Sequence, residues 1–222
     1  MNYRHAYHAG SFSDVFKHLV LTALIQSLQR KETPFCYLDT HAGSGLYDLS
    51  SSIAQKTKEY EMGIEKLKNK KEAPLLIQDF LKIVDTLNSK GTHYYPGSPY
   101  LAKQLLRPED RMVLCELHSD DVLNLKKLFR NDAQISIHHQ DGYLGLKAFL
   151  PPPERCNEGT GGACVTMRCG STARICTHVR PADDGEAHGQ AAGRQAVDLR
   201  SEVGWISGAA AEEQRSRPHP LA

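Results

Sequence analysis

Apolar positions along the first 150 residues follow two periods. Val15, Phe16, Leu19, Val20, Leu24, Ile25 and Leu28 recur every three to four residues, which predicts a helix from 14 to about 30 capped by Ser13 or Asp14. Pro34 stops it, and the run Phe35-Cys36-Tyr37-Leu38 predicts a buried strand. Two lysine-rich amphipathic patterns follow, one around Glu61, Ile64 and Leu67, the other through Leu75, Leu76, Phe80, Leu81, Val84 and Leu87. They predict a helical insertion at about 48–90. Tyr94-Tyr95-Pro96-Gly97-Ser98-Pro99 reads as a turn in which Ser98 caps a helix carried by Leu101, Leu105 and Leu106, with Pro99 in its first turn. Met112-Val113-Leu114-Cys115 predicts a second strand ending in Glu116, and Ser119 caps a helix through Val122, Leu125 and Leu128. Gln134-Ile135-Ser136-Ile137 predicts a third strand leading to Asp141-Gly142. Strands separated by helices imply an α/β fold with a mostly parallel sheet and ligands at the carboxyl ends of its strands.

The chemistry concentrates at those ends. Asp39-Thr40-His41-Ala42-Gly43-Ser44-Gly45 follows the first strand and opens into a glycine loop, which brings bare backbone to where a nucleotide-like ligand approaches. An ordinary strand-to-helix turn is the alternative. The loop lacks the G-x-G-x-x-G of a dinucleotide fold and the Gly-Lys-Ser/Thr of a phosphate loop. S-adenosylmethionine, a nucleoside carrying an amino acid, fits better than a pyrophosphate or triphosphate. Glu116 and Asp141-Gly142 arrive at the same sheet edge, although Glu116 by itself also fits a solvated strand-end acid.

Composition adds a break. All 14 lysines, 6 phenylalanines and 9 tyrosines precede residue 155, whereas 155–222 holds 11 alanines, 9 glycines and 8 arginines but only 2 leucines and 2 isoleucines. Such a segment buries too little apolar surface to offset its ordering entropy, so residues 155–222 are expected to be an aberrant, disordered tail. The abrupt shift toward Arg, Ala, Gly, Pro and Cys is what a GC-rich gene yields when read out of frame; a natural extension is the competing explanation. Cys156, Cys164, Cys169 and Cys176, with His178 and His188, show no C-x-x-C pair, and no metal site is expected. The net charge of +1 leaves no global footprint for nucleic acid. The run Lys66-Leu67-Lys68-Asn69-Lys70-Lys71 fits a solvated turn or an RNA-facing surface. With no apolar run of membrane-spanning length and no signal-peptide core, the chain reads as cytoplasmic with no membrane partner.

The amino terminus carries a second cluster, Tyr3-Arg4-His5-Ala6-Tyr7-His8-Ala9-Gly10, followed by Asp14-Val15-Phe16-Lys17-His18. Together with Tyr37-Leu38-Asp39-Thr40-His41-Ala42-Gly43, Tyr94-Tyr95-Pro96-Gly97-Ser98-Pro99, Glu116-Leu117-His118 and Asp141-Gly142, it makes residues 1 to about 154 resemble the bacterial 23S ribosomal RNA adenine-N(6) methyltransferases of the large-subunit methyltransferase J type. The resemblance implies a Rossmann-like, S-adenosylmethionine-dependent methyltransferase fold with a helical insertion, acting on an adenine exocyclic amine of 23S ribosomal RNA. By matched position, His18, His41, Ser98, Glu116, Asp141 and Gly142 would contact the cofactor, and Tyr3 would lie near the RNA. Taken singly, His5, His8, His18 and His41 also fit packed or capping histidines.

One family motif is absent. Asp-Pro-Pro-Tyr, expected at the end of a fourth strand soon after Glu154, does not occur, and Asp183-Asp184 has no aromatic neighbour to replace it. In the family its acid and proline-backed carbonyl would orient the target amine while the ring stacks on the flipped base. The fold is therefore expected to be incomplete, with the first strand left as an unpaired apolar edge. Three functions remain: an rRNA methyltransferase, an inactive cofactor- or RNA-binding remnant, and a nicotinamide-dependent oxidoreductase, the last disfavoured by the missing G-x-G-x-x-G.

Overall fold

The computed structural model describes residues 4–69, 72–91 and 93–149, together with the strand 163–167. After a short 3-10 turn at His5–Tyr7, helix α1 (Phe12–Leu28) leads into β1 (Phe35–Asp39) and β2 (Leu46–Asp48). The short helices α2 (Ala54–Thr57), α3 (Glu59–Met62) and α4 (Ile64–Lys68) precede the longer α5 (Leu75–Leu87). Strand β3 (Tyr94–Pro96), α6 (Ser98–Leu105), β4 (Arg111–Glu116), α7 (Ser119–Leu128), β5 (Ile135–His139), α8 (Gly142–Phe149) and β6 (Ala163–Met167) complete the order.

Four strands form a parallel sheet in the order β5-β4-β1-β6. All five residues of β1 are buried, as a parallel strand covered on both faces requires. Because side chains alternate, Phe35, Tyr37, Met112 and Leu114 join the core shared with α1, α5 and α6. Cys36, Leu38, Val113 and Cys115 face the other way, against Leu146 and Phe149 of α8. Helix α5 turns Leu76, Ile77, Phe80 and Val84 inward, and each such burial contributes about 1.5–3 kcal/mol. The order reverses at β1, since the chain moves outward through β4 and β5 and then returns to β1's other side as β6. This is a Rossmann-like α/β arrangement, with its switch point at the end of β1.

Two expectations about caps and turns are corrected. Ser11, not Ser13 or Asp14, caps α1, accepting from the Asp14 N–H, because the Asp14 side chain turns inward. Residues 94–96 are not turn but strand, paired antiparallel with β2 in the register Leu46↔Pro96, Tyr47↔Tyr95 and Asp48↔Tyr94. This two-stranded sheet closes the base of the helical insertion.

The expected unpaired edge is also overturned. β6 pairs with β1 along its full length, Phe35↔Ala163 through Asp39↔Met167. A run as short as Ala163-Cys164-Val165-Thr166-Met167, free of proline and charge, suffices to occupy the ladder that β1 offers. The remainder of 155–222, including the candidate zinc residues other than Cys164, lies outside the described residues.

At the amino ends of the strands, Asp110 is fully buried and accepts from the Phe35 N–H at 3.1 Å, the Arg107 N–H at 2.9 Å, and Arg107 Nε and Nη2 at 3.0 and 2.9 Å. The guanidinium also donates to the carbonyls of Lys31 and Thr33 at 2.8 and 3.0 Å. This clamp fixes the entry of β1 beside β4. Among the described residues no helix is long and apolar enough to cross a membrane.

Candidate functional site

At the end of β1, Asp39 is buried and its carboxylate accepts three hydrogen bonds, from Tyr37 Oη at 2.8 Å, Ser98 Oγ at 2.7 Å and the His41 N–H at 3.1 Å. Burial pushes the Asp39 carboxyl up, against the pull of those donors. The loop beyond it spends its backbone donors in sequence. His41 N–H goes to Asp39, Ala42 N–H to the Cys115 carbonyl at 3.1 Å, Gly43 N–H to Glu116 Oε2 at 2.8 Å, and Ser44 N–H to Tyr47 Oη at 3.3 Å. Gly43 and Gly45 both adopt left-handed backbone, at φ +65° and +78°, where a side chain would be strained. A Cβ on Gly43 would also lie 2.2 Å from Tyr47 Oη.

Glu116, at the end of β4, links the loop to the next helix: besides Gly43 it accepts from the His118 N–H at 2.8 Å through Oε1. Asp141, after β5, accepts from the Tyr143 and Leu144 N–H groups at 2.7 and 3.3 Å and so caps α8. Gly142 packs directly on the loop, for a Cβ there would fall 2.0 Å from the Thr40 carbonyl oxygen. His41 is exposed, with its ring edge-on to Tyr143 at 5.4 Å between centroids. The fold thus gathers His41, Ser98, Glu116, Asp141 and Gly142 around the carboxyl ends of β1, β4 and β5. Ser98 differs from expectation in one respect: Gly97 is the cap residue of α6, which leaves the Ser98 hydroxyl free to reach Asp39. Ser119 likewise starts α7 rather than capping it, His118 standing at the cap.

His18 belongs to a second cluster, built around Asp14 and Tyr95. It is 4% exposed within α1, with Nδ1 2.8 Å from Tyr95 Oη and Nε2 4.0 Å from Asp14 Oδ1. Burial lowers the His18 pKa, against the pull of Asp14, and raises that of Tyr95. Asp14 is the centre of this second cluster. Its Oδ2 accepts from the Gly10 N–H at 3.1 Å and lies 3.1 Å from His5 Nε2. Burial alone would raise the Asp14 carboxyl, but the imidazoles of His18 and His5 and the Gly10 N–H outweigh it and bring it down to about 2. His5 in turn packs edge-on to Tyr47, 5.1 Å between centroids, so the amino-terminal cluster abuts the residue that holds the glycine loop. Tyr3 lies outside the described residues.

Two residues of this architecture, Tyr47 and Asp121, are not singled out by any sequence motif, and Asp14 turns inward instead of capping α1. Tyr47 binds the loop that precedes it, and the Ser44 hydroxyl donates to Asp121 in the first turn of α7. On the other side of β1, β6 ends opposite Asp39, and the sequence continues Arg168-Cys169-Gly170-Ser171 where Asp-Pro-Pro-Tyr is expected.

Known proteins resemble the part of the chain that builds this edge. A family model described as ribosomal RNA large subunit methyltransferase D, RlmJ, matches residues 32–157. The ribosomal RNA large subunit methyltransferases J of Escherichia coli and Haemophilus influenzae are each 42% identical to the chain, over 156 and 157 residues. Each match covers 70% of this chain and 56% of the relative, so the chain spans about half the length of the curated relatives it matches. A crystal structure of a Legionella pneumophila protein is similar with a TM-score of 0.62 and 39% identity, over 72% of this chain and 57% of that one. The family match ends at residue 157, next to the break in composition at 155. With the glycine loop, the strand-end acids and the strands β1, β4 and β5 all inside the matched segment, the chain belongs to the RlmJ family of ribosomal RNA large subunit methyltransferases.

Proposed function

We propose that the carboxyl edge of the sheet binds S-adenosylmethionine, and that the reaction of the complete family protein is methyl transfer to an adenine exocyclic amine in 23S ribosomal RNA, in the cytoplasm. The observation that carries the cofactor reading is the glycine loop itself. Four consecutive N–H groups, 41 to 44, are already bonded within the protein, so the loop presents no row of donors to a phosphate. The ligand that suits such a loop is phosphate-free. The acids fit such a ligand. A carboxylate has about four lone-pair sites, so Glu116 keeps acceptor capacity for ribose hydroxyls after binding Gly43 and His118, and Asp141 keeps it for an adenine amino group.

When bound, the cofactor supplies an electrophilic methyl group. The chain's own residues hold the glycine loop, fix the acids and pack Gly142 against Thr40 of the loop. Asp-Pro-Pro-Tyr, the motif expected to orient the target nitrogen, does not follow β6 in the sequence. This favours a second reading for the present chain, a cofactor-binding protein without catalysis, that retains the amino-terminal residues expected to face RNA. Calorimetric titration with S-adenosylhomocysteine tests the placement. Glu116→Ala removes the acceptor that ties Gly43 to His118 and is expected to weaken binding about 10- to 100-fold. Equal affinity in the variant and the parent would place the cofactor elsewhere.

A further inference from the structure

Gly43 and Gly45 flank a single residue that can anchor the loop by its side chain, Ser44. Glycine visits left- and right-handed backbone with similar ease, so two of them make the loop's conformation depend on external contacts. β4 holds the first half through the Cys115 carbonyl and Glu116. α7 holds the second half. The Ser44 hydroxyl donates to Asp121 Oδ1, and a Cβ on Gly45 would come within 2.7 Å of Leu128 Cδ2 and 3.1 Å of Leu125 Cδ2. The other Asp121 oxygen lies 3.6 Å from His118 Nδ1, an enclosed nitrogen without a hydrogen-bond partner among the described residues.

We infer that Asp121 is a positioning residue for the cofactor: it acts through Ser44 to hold residues 43–45 in the binding conformation, without touching the ligand itself. The inference rests on the cofactor reading above. A loop already ordered before binding loses less conformational freedom when the ligand arrives, and that difference appears as affinity. Because the Asp121 side chain is 31% exposed at the surface end of α7, its removal disturbs the loop far more than the core.

The test uses Asp121→Ala, Ser44→Ala, their double variant and Asp121→Asn, titrated with S-adenosylhomocysteine alongside thermal unfolding. Asp121→Ala and Ser44→Ala are each expected to weaken binding about tenfold, and the double variant no more than either. Asp121→Asn keeps an acceptor oxygen for Ser44 and is expected to bind nearly as the parent does, with the unfolding midpoint little changed throughout. Parent-like affinity in Asp121→Ala, additive losses in the double variant, or an Asp121→Asn as weak as Asp121→Ala would overturn the inference. Amide hydrogen exchange on the ligand-free protein separates the two levels of the argument. Exchange at residues 43–45 should be several-fold faster in Asp121→Ala; unchanged exchange defeats the positioning role whether or not the ligand binds. Faster exchange in a protein whose parent form binds no S-adenosylhomocysteine would defeat the cofactor reading alone.

Discussion

The 222-residue chain is expected to transfer no methyl group to unmodified 23S ribosomal RNA, whereas a chimera carrying the second half of the Escherichia coli relative from residue 155 onward is expected to do so. Alignment of a reacting nitrogen with an electrophile is worth effective molarities on the order of 10⁵ M or more, so a cofactor edge without the amine-orienting motif loses most of the rate. Transfer of label from radioactive S-adenosylmethionine to the RNA measures it. Label transferred by the parent chain and abolished by Glu116→Ala would show that residues other than Asp-Pro-Pro-Tyr orient the amine. The residue usage changes abruptly at 155. Lysine, phenylalanine and tyrosine vanish together while arginine, alanine and glycine rise, the change expected of a GC-rich message read out of frame. Resequencing the codons for residues 150–160 decides between a shifted frame and a genuine extension.

Asp110→Ala is expected to cost about 3–5 kcal/mol of folding stability. The carboxylate is fully buried and accepts from Phe35, from the Arg107 main chain and twice from the Arg107 side chain, so truncation leaves a buried N–H and part of a guanidinium without partners. The affected group lies where β1 enters the sheet, and β1 is the strand on which both β4 and β6 pair. Chemical denaturation followed by far-ultraviolet circular dichroism measures the change, and Asp110→Asn should recover part of it by keeping an acceptor. A loss below about 1 kcal/mol for Asp110→Ala would mean that the clamp contributes no more than a surface ion pair.

The strands that define the site were legible because their signal is local. β1, β4 and β5 are short apolar runs between turn signals, and their observed bounds differ from the expected ones by one or two residues. The acids at their ends followed from the same pattern. β2 and β3 were not legible, since each is three residues long and gains its identity from a partner far away in sequence. The cap of α1 was misassigned because Ser11, Ser13 and Asp14 all have capping chemistry, and only the inward turn of Asp14 toward His5 and Gly10 selects Ser11. Asp121 and Tyr47 carry no local signature at all: one looks like a first-turn helix acid and the other like an ordinary aromatic residue until the loop between them is folded. β6 carries little signal because it is a five-residue run in Leu- and Ile-poor surroundings, with its pairing supplied by β1.

The loop's spent donors make a sharp claim about ligand chemistry, and parallel calorimetric titrations of the parent chain with S-adenosylhomocysteine, ATP and NAD test it most directly. Saturable binding of S-adenosylhomocysteine with no measurable heat from ATP or NAD is the expected result, because residues 41 to 44 leave no N–H row for a phosphate group. Binding of either phosphate-bearing nucleotide as tightly as S-adenosylhomocysteine, or no binding of S-adenosylhomocysteine at all, would contradict the account.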